Sequence, residues 1–166
     1  MITTRIISTG ACVPEQVITN DDLSKIVDTS DEWITQRTGI KRRHISAGEN
    51  TSYFAINTAR QVLERAEVSA EDVDLIIVAS VTADYGTPSL ACMVQKEIGA
   101  VNAVAFDVNA ACSGFMFALS IADKYIKTGM YENAIVIGAE TLSKIVDWKD
   151  RSTCVLFGDG SGGAYV

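Results

Sequence analysis

Three short runs of apolar residues constrain the fold of this chain more than any other feature. They are Leu75-Ile76-Ile77-Val78-Ala79, Ala103-Val104-Ala105-Phe106 continuing to Val108, and Ala134-Ile135-Val136-Ile137. None alternates apolar with polar residues, as a strand with one wet face would. Each is therefore predicted as a strand buried on both faces. Ile6-Ile7, ahead of Gly10, predicts a further strand near the start, and Gly162 to Val166 predicts a fifth.

Helical patterns separate these runs. Ala55, Ala59, Val62, Leu63 and Ala66 recur at helical spacing and predict a helix over Thr51 to Glu67. Thr87 followed by Pro88 reads as a capped helix start. Thr29 with Glu32 reads as a capping box ahead of Trp33. A long helix is predicted from Cys112 to Thr128, stopped by Gly129. Its first half, with Phe115, Met116, Phe117, Leu119 and Ile121, is apolar all round and is predicted to be buried. Strands alternating with helices imply an α/β layered fold.

Composition excludes several classes. Of 166 residues, 48% are apolar, 21% are charged and two are proline, which excludes a disordered chain. The net charge of -7 argues against a nucleic-acid binder. The first residues lack the apolar core of a signal peptide. No apolar run approaches the roughly 18 residues of a membrane helix, so no membrane is predicted. Cys12, Cys92, Cys112 and Cys154 contain no C-x-x-C pair, which predicts free thiols, no metal site and a cytoplasmic protein. The chain stops inside an apolar, strand-like segment with no polar tail, which predicts half of a longer protein.

Cys112 is the leading chemical candidate. In Phe106-Asp107-Val108-Asn109-Ala110-Ala111-Cys112-Ser113-Gly114 a strand runs through small residues into a helix. A thiol at a helix start meets free N–H groups and the positive end of the dipole, which favour the nucleophilic thiolate. The arrangement follows the logic of a nucleophile elbow with sulfur in place of oxygen. A buried structural cysteine is the competing reading, and it is preferred for Cys12, Cys92 and Cys154.

Arg37, Lys41, Arg42 and Arg43 form a basic cluster in an otherwise acidic chain, and Trp33 stands four residues before Arg37. On a helix those two share a face and suit a flat heterocycle bearing phosphates. A solvated basic face is the alternative. His44, the single histidine, lies in a basic, turn-forming stretch and is read as a surface residue. The glycine-rich segment Phe157 to Gly163 is followed by a strand pattern instead of a helix. It is read as a tight turn between extended segments, not a phosphate loop.

These residues together resemble the β-ketoacyl-acyl-carrier-protein synthase III family. The resemblance is carried by Gly10 to Pro14, by Thr29-Ser30-Asp31-Glu32-Trp33-Ile34 with Arg37-Thr38-Gly39-Ile40, and by Pro88-Ser89. It continues through Asp107 to Gly114, Asp150-Arg151 and Phe157-Gly158-Asp159-Gly160. It implies a thiolase-like fold, of which residues 1–166 are the N-terminal half-domain: a mixed five-stranded sheet with helices on both faces. It implies an acyltransferase in which Cys112 takes an acyl group from acyl-CoA. The acyl thioester then condenses with malonyl-acyl-carrier-protein, with loss of carbon dioxide, to begin fatty-acid synthesis. Coenzyme A enters as a thioester substrate, and no resident cofactor is implied. Trp33, Arg37, Arg151 and Thr29 match positions at the adenine end of CoA. Thr87 and Phe157 match the acyl pocket, where threonine in place of a large aromatic leaves room for longer starters. The family's catalytic histidine and asparagine lie in H-Q-A-N and G-N-T-S type motifs of a second half, and neither motif is present. The resemblance also implies a homodimer joined along the strand at Ala103 to Val108. A polyketide starter synthase, a non-catalytic partner subunit and a cysteine hydrolase using His44 are the alternative readings.

Overall fold

The computed structural model describes residues 3–166. Its centre is a mixed five-stranded sheet in the order β1-β7-β6-β4-β5. The strands are β1 (Ser8–Cys12), β4 (Leu75–Ala79), β5 (Val104–Val108), β6 (Ile135–Thr141) and β7 (Asp159–Tyr165). β4 runs parallel to β5 and β6, while β7 is antiparallel to β6 and β1. A separate two-stranded sheet joins β2 (Val17–Thr19) to β3 (Arg42–His44).

Helices cover both sheet faces, as the resemblance implies. On one face α3 (Thr51–Ala66) and α4 (Leu90–Ile98) pack Ala55, Ala59, Val62, Leu90 and Val94 on Ile76, Val78, Ile135 and Ile137. On the other, α5 (Gly114–Lys127) packs Ala118, Ala122 and Ile126 on Leu75, Ile77 and Val136. Alternate β4 side chains thus enter different cores, and all five residues are buried. This is why the run shows no polar alternation. Each such large apolar side chain contributes about 1.5–3 kcal/mol on burial.

The structure corrects several predictions. β1 begins at Ser8, and Ile6 and Ile7 are exposed ahead of it. β5 is an edge strand, with Val104 exposed and the rest half-buried, because only β4 pairs with it. Gly158 to Gly163 holds no tight turn; Asp159–Tyr165 is one continuous strand, antiparallel to β6. Glycine is required inside it by close packing. A Cβ on Gly163 would stand 2.9 Å from Thr58 Cγ2 and 3.0 Å from Ile137 Cγ1. The long helix starts at Gly114, not Cys112, and Met116 and Phe117 on it are 65% and 55% exposed. These two apolar side chains of α5 therefore lack a cover in this chain.

Both capping assignments move toward the helix, the first by one residue and the second by two. Ser30, not Thr29, caps α2 (Asp31–Thr38) through Trp33 N, and Ser89, not Thr87, caps α4 through Cys92 N. In each case a serine follows the threonine, directly at Thr29-Ser30 and across Pro88 at Thr87-Ser89, and the serine holds the extended backbone that a cap needs.

Candidate active site

Parallel β4 and β5 and their neighbour β6 all point their carboxyl ends the same way. Loops that follow such ends are where α/β sheets place ligands. The loop after β4 carries Thr87, and the turn after β5 carries Cys112. Asp159, first residue of β7, pairs with Thr141, last of β6, which brings Phe157 to the same end. Cys112, Thr87 and Phe157 thus gather at one end of the sheet. Thr87 is exposed and Phe157 half-buried.

Cys112 is exposed, in a short 3-10 turn over Ala111–Ser113. Ala111 takes a left-handed φ of 45°. That conformation costs a non-glycine residue about 1–2 kcal/mol, and such outliers gather at functional turns. The turn is held closely from below. A Cβ on Gly114 would lie 2.9 Å from Ala79 Cβ, so glycine lets α5 start against the end of β4. Side chains leave the α5 N-terminus uncapped. Of the other thiols, Cys154 is buried, and Cys12 and Cys92 are half-buried. Burial pushes the Cys12 and Cys154 thiols up from their ordinary pKa.

Two acidic residues to which the sequence patterns assign no role, Asp107 and Glu140, shape this end of the sheet. Asp107 on β5 accepts from Leu90 N and Ala91 N, both at 2.7 Å, and so ties β5 to the start of α4. Glu140 on β6 accepts from Val81 N at 2.9 Å, Thr82 N at 3.1 Å and the Thr82 hydroxyl, and so fixes the loop that leads to Thr87. A groove of about 430 Å³ runs between the loops after β4 and β6, lined by Thr82, Asp84, Tyr85, Thr141 and Lys144 among others.

A second cluster forms around Trp33 on α2. The Arg37 guanidinium carbon lies 4.4 Å from the Trp33 ring centroid, and that of Arg151 lies 4.9 Å from it. Arg151 opens α6 (Arg151–Cys154) and donates to Asp28 O at 2.8 Å. Beside Asp28 in the chain, the Thr29 hydroxyl is buried without a hydrogen-bond partner among the described residues. Thr29, Trp33, Arg37 and Arg151 are thus brought into one neighbourhood.

The basic cluster divides. Lys41 pairs with Asp31 at 3.0 Å, and Arg43 is buried. Hydrogen bonds from Asn20 and then Lys41 hold the Asp31 carboxyl below its ordinary pKa. His44 is half-buried on β3 instead of lying on the surface, with Nδ1 2.6 Å from Pro14 O. Among the described residues, no three His, Cys, Asp or Glu side chains group as metal ligands, and no helix is long and apolar enough to cross a membrane.

Residues 106–166 match the family model of 3-oxoacyl-[acyl-carrier-protein] synthase III. The whole chain is 57% identical to β-ketoacyl-[acyl-carrier-protein] synthase III of Clostridium novyi, covering 51% of that protein. The fold superposes on the crystal structure of 3-oxoacyl-[acyl-carrier-protein] synthase III from Aquifex aeolicus with a TM-score of 0.96. The identity is 56%, over 98% of this chain and 53% of that one. It also superposes on a priming β-ketosynthase of a polyketide biosynthetic pathway, with a TM-score of 0.93 and 36% identity, over 97% of this chain and 48% of that one. The chain spans about half the length of the curated relatives it matches. By sequence over its full extent and by its thiolase-like fold, this chain is similar to β-ketoacyl-[acyl-carrier-protein] synthase III.

Proposed function

We propose that this chain is the nucleophile-bearing N-terminal half of an enzyme that begins fatty-acid synthesis. Cys112 attacks the carbonyl of an acyl-CoA and keeps the acyl group as a thioester, releasing CoA as the thiol. Malonyl-acyl-carrier-protein then loses carbon dioxide, and its carbanion attacks the thioester carbonyl. The 3-ketoacyl product leaves on the carrier protein, and Cys112 is released as thiolate. The observation that carries this reading is the exposed Cys112 on a strained turn at the carboxyl end of β5.

Trp33, Arg37, Arg151 and Thr29 bind the adenine end of CoA, as a stacking surface and phosphate partners; CoA is a substrate, not a resident cofactor. Thr87 and Phe157 line the acyl pocket. Threonine at position 87 leaves space for a few extra methylenes, each worth about 0.8 kcal/mol when buried. The uncovered Met116 and Phe117 of α5 support a second half that packs there and supplies a histidine and an asparagine for decarboxylation. The free edge of β5 lacks lysine and proline, which supports a homodimer joined at that strand. A cysteine hydrolase using His44 is disfavoured by the engagement of its Nδ1 with Pro14 O on the separate two-stranded sheet.

The test joins this chain to the half of the Clostridium novyi protein that it does not cover. The chimera is expected to form 3-ketoacyl-carrier-protein from acetyl-CoA and malonyl-acyl-carrier-protein. The chain alone and a Cys112→Ala chimera are expected to form none. A Thr87→Phe chimera is expected to lose activity on longer starters by about tenfold relative to acetyl-CoA. Release of free acetate as the only product contradicts the reading.

A further inference from the structure

Arg43 is a cation buried without a carboxylate. It is 5% exposed, and among the described residues it makes no ion pair. Its guanidinium spreads over three segments. Nη1 donates to Ile18 O of β2 at 3.3 Å, and Nη2 donates to Asn20 Oδ1 at 2.8 Å and to Val155 O at 3.2 Å. Val155 immediately follows α6, the helix that begins with Arg151.

Asn20 opens α1 (Asn20–Leu23) and is itself buried. Its amide nitrogen donates to Asp31 Oδ1 at 2.8 Å and to Ile40 O at 2.7 Å. Those acceptors stand at the first residue of α2 and just past its Gly39 cap. Asn20 therefore holds both ends of the helix that carries Trp33 and Arg37. Arg43 joins that clamp to the end of the helix that carries Arg151.

Burying a cation costs free energy that an apolar residue of similar volume would not. Ile34, Leu23, Cys154 and Val155 already fill an apolar core in this region, so packing alone does not call for a guanidinium. A rigid fork of donors fixes direction as well as distance, and lysine cannot address three acceptors in that way. We propose that Arg43, acting through Asn20, is a positioning residue that sets the spacing between the Trp33 ring and the Arg151 guanidinium, and thereby the affinity for an adenine nucleotide. The nucleotide part of this inference rests on the reading under Proposed function; the positioning part does not.

The experiment uses a Trp148→Phe background, which leaves Trp33 as the single tryptophan. Arg43→Lys keeps the charge and loses the fork. Asn20→Asp keeps an acceptor for Arg43 and replaces the donor to Asp31 and Ile40 by an oxygen. Thermal melts establish that each variant is folded; Asn20→Asp serves if Arg43→Lys does not fold. Acrylamide quenching of Trp33 without ligand reads the pair directly, and the Kd of adenosine 3′,5′-bisphosphate reads its consequence. The expected result is Trp33 more accessible to quencher by about twofold and a Kd weakened about tenfold in folded variants, the scale of a lost cation–π contact. A merely structural Arg43 lowers the melting temperature and leaves both readouts unmoved, and that result overturns the proposal. If the parent protein does not bind the nucleotide, or binds it equally as Trp33→Ala, the nucleotide reading fails by itself. The ligand-free quenching comparison then decides the positioning role alone.

Discussion

The Arg151 guanidinium stands 4.9 Å from the centre of the Trp33 ring, although the two residues lie on helices far apart in sequence. On the proposed reading, the Arg37 and Arg151 guanidinium groups beside the ring supply positive charge for the phosphates of an adenine nucleotide stacked there.

Replacing Arg151 with alanine tests that pair without disturbing the core. Arg151 is exposed, so the melting temperature is expected to hold, as for most surface changes. The affinity for adenosine 3′,5′-bisphosphate is expected to fall about tenfold, corresponding to a contact of roughly 1–2 kcal/mol. Isothermal titration checks it, and an unchanged Kd contradicts the placement of the nucleotide at Trp33.

Asp107 carries a prediction about stability. Its carboxylate accepts two backbone N–H groups at the start of α4, both at 2.7 Å. Asp107→Ala leaves those donors open and is expected to cost about 1–2 kcal/mol, a few degrees in Tm for a chain of this size. Differential scanning calorimetry checks it; an unchanged Tm would show that water replaces the cap at no cost.

These predictions also separate what the sequence showed from what it hid. β4 and α3 were legible because their periodicity is uninterrupted: five apolar residues between two helix layers, and an apolar stripe at helical spacing. The Cys112 turn was legible from small residues between a strand and a helix. The Trp33–Arg37 pair follows from a spacing of four, whereas Arg151 joins it through tertiary structure that no local pattern encodes. Arg43 was misread because a run of basic residues does not reveal which one faces inward. Its place between Arg42 and His44 on a short strand was the available signal, since neighbours on a strand point to opposite sides. Gly158 to Gly163 looked like a turn because glycine frees the backbone, yet Gly163 is needed for lack of space.

The acid limb of stability should depend on Asp123. Lys127 at 2.8 Å and Lys124 at 3.0 Å, through hydrogen bonds of which that from Lys127 is the stronger, hold its carboxyl down at about 2. The folded value lies below the unfolded one of about 3.9. The contribution is therefore fully present above about pH 4 and is lost as pH falls through the folded value. The lysines are exposed, so the effect is small and falls with added salt. Wild type should lose more melting temperature than Asp123→Asn between about pH 4 and pH 2. Asp22, lowered chiefly by Lys25, supplies a similar slope in both proteins. Identical pH profiles would contradict the assignment to Asp123.

The most direct measurement is the site and fate of an acetyl group after the purified chain is mixed with acetyl-CoA, followed by intact mass and peptide mapping. The account predicts one acetyl group per chain, on the exposed Cys112 and stable as a thioester. It predicts none on Cys12, Cys92 or the buried Cys154, and none on the Cys112→Ala chain. Acetylation at another cysteine, or turnover to free acetate without a thioester at Cys112, would contradict it.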